Sequence, residues 1–155
     1  MALEQILAHK RDEVAHRKAT LPLEEFQDRL VPSDRDFAGT LRKPRTAYIL
    51  ECKGASPSQG EIRGEVNLQQ VASAFDPLAN AISVLTDARF FGGSPERMAA
   101  LRALLHRPVL CKDFVVDPYQ VHEARLHGAD AILLMLSVLD DAGYRACRDV
   151  AHHHQ

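Results

Sequence analysis

The chain has 155 residues, 46% of them hydrophobic and 26% charged, the balance of a folded globular domain with a core of its own. Its net charge of −2 comes from 19 basic and 21 acidic side chains, interspersed along the chain, which argues against a nucleic-acid or membrane-surface partner. No apolar run reaches the ~18 residues of a membrane span, the charged N-terminus MALEQILAHKRDEVAHRK lacks the apolar centre of a signal peptide, and Cys52, Cys111 and Cys147 are too widely spaced for a disulfide framework or zinc site, reading instead as reduced thiols of a cytoplasmic protein.

In residues 2–18, Leu3, Ile6, Leu7, Val14 and Ala15 recur at roughly helical spacing and predict a first helix. PLEEFQDRL (22–30) predicts a second, with Pro22 in its first turn and Leu23, Phe26 and Leu30 on one face. VPSDRDFAGTLRKPR (31–45) is connector with room for one helical turn, so residues 1–45 form a helical extension ahead of a repeating unit at 46–155. In that unit four apolar runs read as buried strands: TAYILECK (46–53), AISVLTD (81–87), PVLCKDF (108–114) and ADAILLMLS (129–137). They alternate with helical stretches at 67–79, 94–105, 117–127 and 140–154. Ser94-Pro95-Glu96 and Asp117-Pro118 mark helix starts, and Gly128 suits a helix end. Strict alternation of strand and helix predicts an α/β fold with a parallel sheet under helices. Neither GxGxxG nor GxxxxGK[ST] occurs, so a doubly wound nucleotide-binding fold has no motif behind it.

Parallel α/β folds carry their chemistry at the carboxyl ends of the strands. Those ends bring Glu51 and Lys53, Thr86 and Asp87, Lys112 and Asp113, and Ser137. Side chains alternate along a strand, so Glu51 shares a face with Lys53, and Leu110 shares one with Lys112 and Phe114. If those faces look inward, two lysines and a carboxylate meet at one mouth, with Cys52 and Cys111 turned outward beneath the helices. A solvated strand end is the plainer account of any single lysine; two strands that each end in apolar–Cys–Lys, one with a paired Glu, weaken it. The stretch 54–66 is 13 residues long, against about 2–6 for an ordinary βα loop, and reads either as a working loop or as a plain insertion. RFFGGS (89–94) reads as a turn, with Phe91 a candidate pocket wall. His9, His16, His106, His122 and His127 are scattered and read as surface residues, and the adjacent histidines 152–154 point in different directions and do not form a metal site.

The segments ILECKGASPSQGEIR, AISVLTDARFFGGS and VLCKDFVVDPYQVHEARLHGADAILLMLSVLDD resemble the indole-3-glycerol phosphate synthase family, and the likeness extends over essentially the whole chain. It implies a TIM (β/α)8 barrel, of which this sequence holds the N-terminal helices and the first four βα units. It also implies a lyase of tryptophan biosynthesis that cyclises and decarboxylates 1-(2-carboxyphenylamino)-1-deoxyribulose 5-phosphate. By that resemblance Lys112 is the general acid, Lys53 pairs with the substrate's anionic groups and Glu51 is its supporting carboxylate. Ser56 and Pro57 belong to the loop over the substrate, while Phe91, Phe114 and Leu133 wall the anthranilate ring. No metal or organic cofactor is implied.

In the family, the next strand brings a glutamate base, the following one an asparagine, and the last two strand loops most of the phosphate site. None of these lies within the 155 residues, and the expectation is that this chain alone is inactive. The alternative is a non-catalytic half-barrel that associates with itself or with a complementary half. A phosphoribosylanthranilate isomerase domain, fused in some relatives, remains open for a full-length parent.

Overall fold

The computed structural model describes residues 3–42, 44, 46–56, 60–61 and 66–155. Helix α1 (Leu3–Thr20) buries Ile6, Leu7, Lys10 and Val14 along one stripe. The helix expected over 22–30 is instead two 3₁₀ turns, Leu23–Glu25 and Gln27–Arg29. They meet at Phe26, whose φ of −134° interrupts the helical backbone. The break sends the Phe26 ring into a fully buried site with Val14 and Tyr119, edge-on to Tyr119 at a centroid distance of 5.8 Å. Burial of one aromatic ring outweighs the hydrogen bonds that a continuous helix would add. In the connector, Asp36 caps the short helix α2 (Phe37–Leu41) by accepting from the Gly39 amide at 2.7 Å.

Four parallel strands form the main sheet: β1 (Ile49–Cys52), β4 (Ala81–Leu85), β5 (Val109–Lys112) and β6 (Ala131–Ile132). Between β1 and β4 lies an antiparallel pair, β2 (Ala55–Ser56) with β3 (Gly60–Glu61), which the sequence pattern does not announce. The order β1-β4-β5-β6 follows the chain, so every crossover turns the same way and the helices gather on one face, the winding of a barrel and not of a doubly wound sheet. These helices are α3 (Leu68–Phe75), α5 (Pro95–Arg102), α6 (Tyr119–Leu126) and α7 (Asp141–His153). Asn67, Ser94 and Asp140 cap α3, α5 and α7 through their side chains. Gly128, at φ 88°, ends α6 while the Ala129 amide reaches back to the Ala124 carbonyl at 2.9 Å.

The register aligns Glu51, Ser83, Leu110 and Ala131 across the sheet. Alternation then turns Cys52, Ile82, Val84, Val109 and Cys111 toward the helices, where they pack with Ala72, Met98, Leu101, Leu105 and Ala124. At the opposite end of the strands, buried Asp130 accepts from the Val109 amide at 2.9 Å and the Ser33 hydroxyl at 2.8 Å, tying the connector to the sheet.

The fourth strand is far shorter than the expected 129–137. The Asp130 and Leu133 amides still bond β5 carbonyls, at 2.9 and 3.1 Å, but β5 ends at Lys112 and offers no ladder to the residues beyond Leu133. Residues 136–138 are a turn, so Ser137 is not at a strand end. Of the histidines read as surface residues, His16 and His106 are exposed, while His9, His122 and His127 are half-buried. His154 is buried, and its Nε2 lies 3.0 Å from Nδ1 of half-buried His122, joining α6 to the end of α7.

Candidate active site

The mouth is built from the carboxyl ends of β1 and β5. Glu51 and Lys53 lie two residues apart on one face, and Lys112 projects from the same side of the sheet across the intervening β4. The Glu51 carboxylate bridges both lysines: Oε1 lies 3.1 Å from the Lys53 ammonium, and Oε2 accepts from Lys112. Partial burial pushes the Glu51 carboxyl up, but hydrogen bonds from Lys112 and Lys53 outweigh it and hold it below the ordinary carboxylate range. The result is a carboxylate kept ionised between two ammonium groups that remain partly open to solvent, suited to meeting an anionic ligand and donating a proton.

An aromatic wall stands beside these charges. RFFGGS is more than the expected turn: Asp87 accepts from the Phe90 amide at 2.7 Å and nucleates the one-turn helix α4 (Ala88–Phe91), closed by left-handed Gly92 at φ 61°. A Cβ on Gly93 would collide with the Leu85 carbonyl, so only glycine lets the chain pass this close to β4. This turn sets Phe91 against Phe114, ring centroids 6.1 Å apart and planes tilted by 38°. Leu133, one residue beyond β6, lines a different cavity of about 510 Å³ at the β6 edge, shared with Leu110, Val121, Tyr144 and Arg148, and none of Glu51, Lys53, Lys112, Phe91 or Phe114 contributes to it. Of the two loop residues, Ser56 has its backbone paired with Gly60 in the hairpin; Pro57 lies outside the described residues.

The other strand-end groups are engaged in a buried cluster with α1. Thr86 donates to Asp113 Oδ2 at 2.9 Å, and both are buried. Asp87 and Asp113 each approach the Lys10 ammonium at 2.9 Å, as does Glu13. Lys10 is fully buried; burial would strip its proton, but Asp113 and Asp87 outweigh that and raise its pKa. Sequence reasoning missed this cluster, although a lysine in the apolar stripe of α1 was the available signal.

The thiols in the strand motifs are not nucleophiles. Burial raises the pKa of Cys111 to about 12 and of Cys147 to about 11, and it pushes Cys52 up as well. Among the described residues no group of three or more His, Cys, Asp or Glu is arranged to hold a metal ion, and no helix is long and apolar enough to cross a membrane.

Residues 3–155 match the family described as Indole-3-glycerol phosphate synthase. Over 150 residues the chain is 51% identical to the Tryptophan biosynthesis protein TrpCF of Vibrio cholerae, covering 97% of this chain and 32% of that protein. The TrpCF proteins of Vibrio parahaemolyticus and Yersinia pestis are 50% and 49% identical, again over 97% of this chain and over 31% and 32% of their own lengths. The chain thus spans about a third of the length of the curated relatives it matches. A family match over almost every residue, beside relatives at half identity, makes this chain a member of the indole-3-glycerol phosphate synthase family of (β/α)8 barrels.

Proposed function

We propose that these residues form the acid half of an indole-3-glycerol phosphate synthase site, acting in tryptophan biosynthesis in the cytoplasm on 1-(2-carboxyphenylamino)-1-deoxyribulose 5-phosphate. The observation that carries this reading is the Glu51 carboxylate, one oxygen to Lys53 and the other to Lys112, at the carboxyl end of a parallel sheet. Lys112 protonates the substrate carbonyl while the ring carbon bearing the carboxylate attacks the carbonyl carbon. Carbon dioxide leaves from that ring carbon; the new hydroxyl then takes a proton from a lysine ammonium and departs as water, while the adjacent methylene carbon gives its proton to the base of the complementary half, forming the indole double bond. Each step moves charge that a positioned ammonium stabilises. Lys53 meets the substrate's anionic groups, and Glu51 holds both lysines in register. Phe91, Phe114 and Leu133 offer an apolar slot for the anthranilate ring, and Ser56 and Pro57 belong to the loop above it. Residues 1–45 serve as an extension to the barrel units at 46–155. We also propose a longer parent with a fused phosphoribosylanthranilate isomerase domain, a reading supported by relatives of which this chain covers only 31–32%.

The test is complementation. The chain is mixed with the segment that continues the matched region in the Vibrio cholerae relative, and indole-3-glycerol phosphate is assayed. The mixture turns over, the chain alone does not, and Lys112→Met lowers kcat by about 100-fold or more. Full activity of Lys112→Met in an active mixture would refute the assigned acid. A second reading, favoured by the uncovered inner face at Ile49, which is 42% exposed, is a non-catalytic half-barrel that acts by association with itself or a complementary half.

A further inference from the structure

A fully buried cation with three carboxylate partners lies behind the mouth. Lys10, on α1, is fully buried and has three carboxylate oxygens at 2.9 Å, from Glu13, Asp87 and Asp113. Two of these partners are strand-end residues next to the proposed working groups. Asp113 lies between Lys112 and Phe114 in sequence; its Oδ1 accepts from the Phe114 amide at 2.7 Å and its Oδ2 from Thr86 at 2.9 Å. Asp87 caps α4 and so seats Phe91. Around the same contact, His9 stacks edge-on against Phe90 at 5.7 Å, and Arg89 bonds the His9 ring at 3.2 Å. Glu13 continues the network to Arg17 at 3.0 Å, and Arg17 to Glu123 of α6 at 2.6 Å.

We propose that Lys10 is a positioning residue for the mouth: held between Asp87 and Asp113, it fixes the two strand ends that carry Phe91, Lys112 and Phe114. The role rests on the lyase reading above. A buried ammonium with carboxylates on two different strand ends leaves little freedom between them, because separating either partner strands a charge in a dry site. Full burial among carboxylates separates its role from that of partly exposed Lys112: it acts on the spacing of the groups that touch the ligand. One helix of the N-terminal extension is thereby part of the reacting geometry.

Lys10→Met, Lys10→Arg and Asp113→Asn are introduced into the 155-residue chain and studied in two ways. In the complemented mixture, at a temperature where circular dichroism shows each variant folded, Lys10→Met and Asp113→Asn lower kcat/KM by about tenfold or more. KM rises through the displaced aromatic wall, kcat falls through displaced Lys112, and Lys10→Arg restores most of the loss. Parental kcat and KM with only a lowered melting temperature would reduce Lys10 to a fold-stabilising ion and overturn the proposal. If Lys10→Met does not fold, Asp113→Asn decides, since it keeps an acceptor for the Phe114 amide. In the chain without its complement, NMR titration of the Glu51 side chain gives the second readout. Loosening the Lys112 strand end moves the Glu51 carboxyl up toward its ordinary range in the Lys10→Met or Asp113→Asn variant; an unmoved titration overturns the proposal. An inactive parental mixture would count against the lyase reading and leave this titration to judge Lys10.

Discussion

Glu51 is the residue on which the electrostatics of the mouth turn, because it is the acceptor for both lysines. Its carboxyl is held below the ordinary range in the folded chain, so the unfolded chain binds the extra proton first on acidification. The sign follows: its contribution to stability is present above the ordinary carboxylate pKa, about 4.3, and is lost as pH falls through the lower folded value. Asp34, Asp76 and Glu96 are lowered too, so the whole acid limb does not belong to Glu51. The prediction is therefore a difference: Glu51→Gln destabilises the chain at pH 7 and loses less further stability than the parent between pH 6 and about pH 3. Urea unfolding at a series of pH values measures it, and parallel curves would show that Glu51 is not held by its two lysines in solution.

At the scale of elements, the N-terminal extension is fastened to the barrel units through a small separate core of Val14, Phe26 and Tyr119, with Leu21, Leu23 and Leu30 around it. The Tyr119 hydroxyl adds a bond to the Leu21 carbonyl at 2.9 Å. Phe26→Ala empties a fully enclosed ring site and costs about 3–5 kcal/mol, read as a lowered urea midpoint. A loss below about 1 kcal/mol would mean that this core does not hold the extension in place. The same elements mark how far the sequence could be read. Caps at Asn67, Ser94 and Asp140 are local devices, and the helices after them stand where those residues indicate. The strand faces were equally legible, because alternation alone separates Glu51 and Lys53 from Cys52. The break at Phe26 was not, since its apolar spacing satisfies a helix and only the distant Tyr119 ring decides otherwise. The partners of Lys10 were hidden for the same reason: its place in the apolar stripe of α1 signals burial, but Asp87 and Asp113 are remote in sequence and only the fold brings them to it.

Across the whole molecule, the helices among the described residues cover one face of the sheet only. Its helix side is closed by α3, α5 and α6, while Ile49 and Leu110 of the opposite face, with Leu133, Val121 and Tyr144, line an open cavity at the free β6 edge. Among the described residues, β1 and β6 each have a paired strand on one edge and none on the other. Unpaired backbone groups and contiguous apolar surface both favour association. The expected behaviour of the isolated chain is strong binding of an environment-sensitive apolar dye and a sedimentation coefficient that rises with concentration. Adding the complementary segment from the Vibrio cholerae relative should suppress both in step, because one event covers the face and pairs the edges. The coupling matters more than either signal: dye binding lost without a change in sedimentation would mean that the inner face and the strand edges are satisfied separately. A monodisperse monomer that binds no dye would show the inner face already covered in solution, and would remove the physical ground for association.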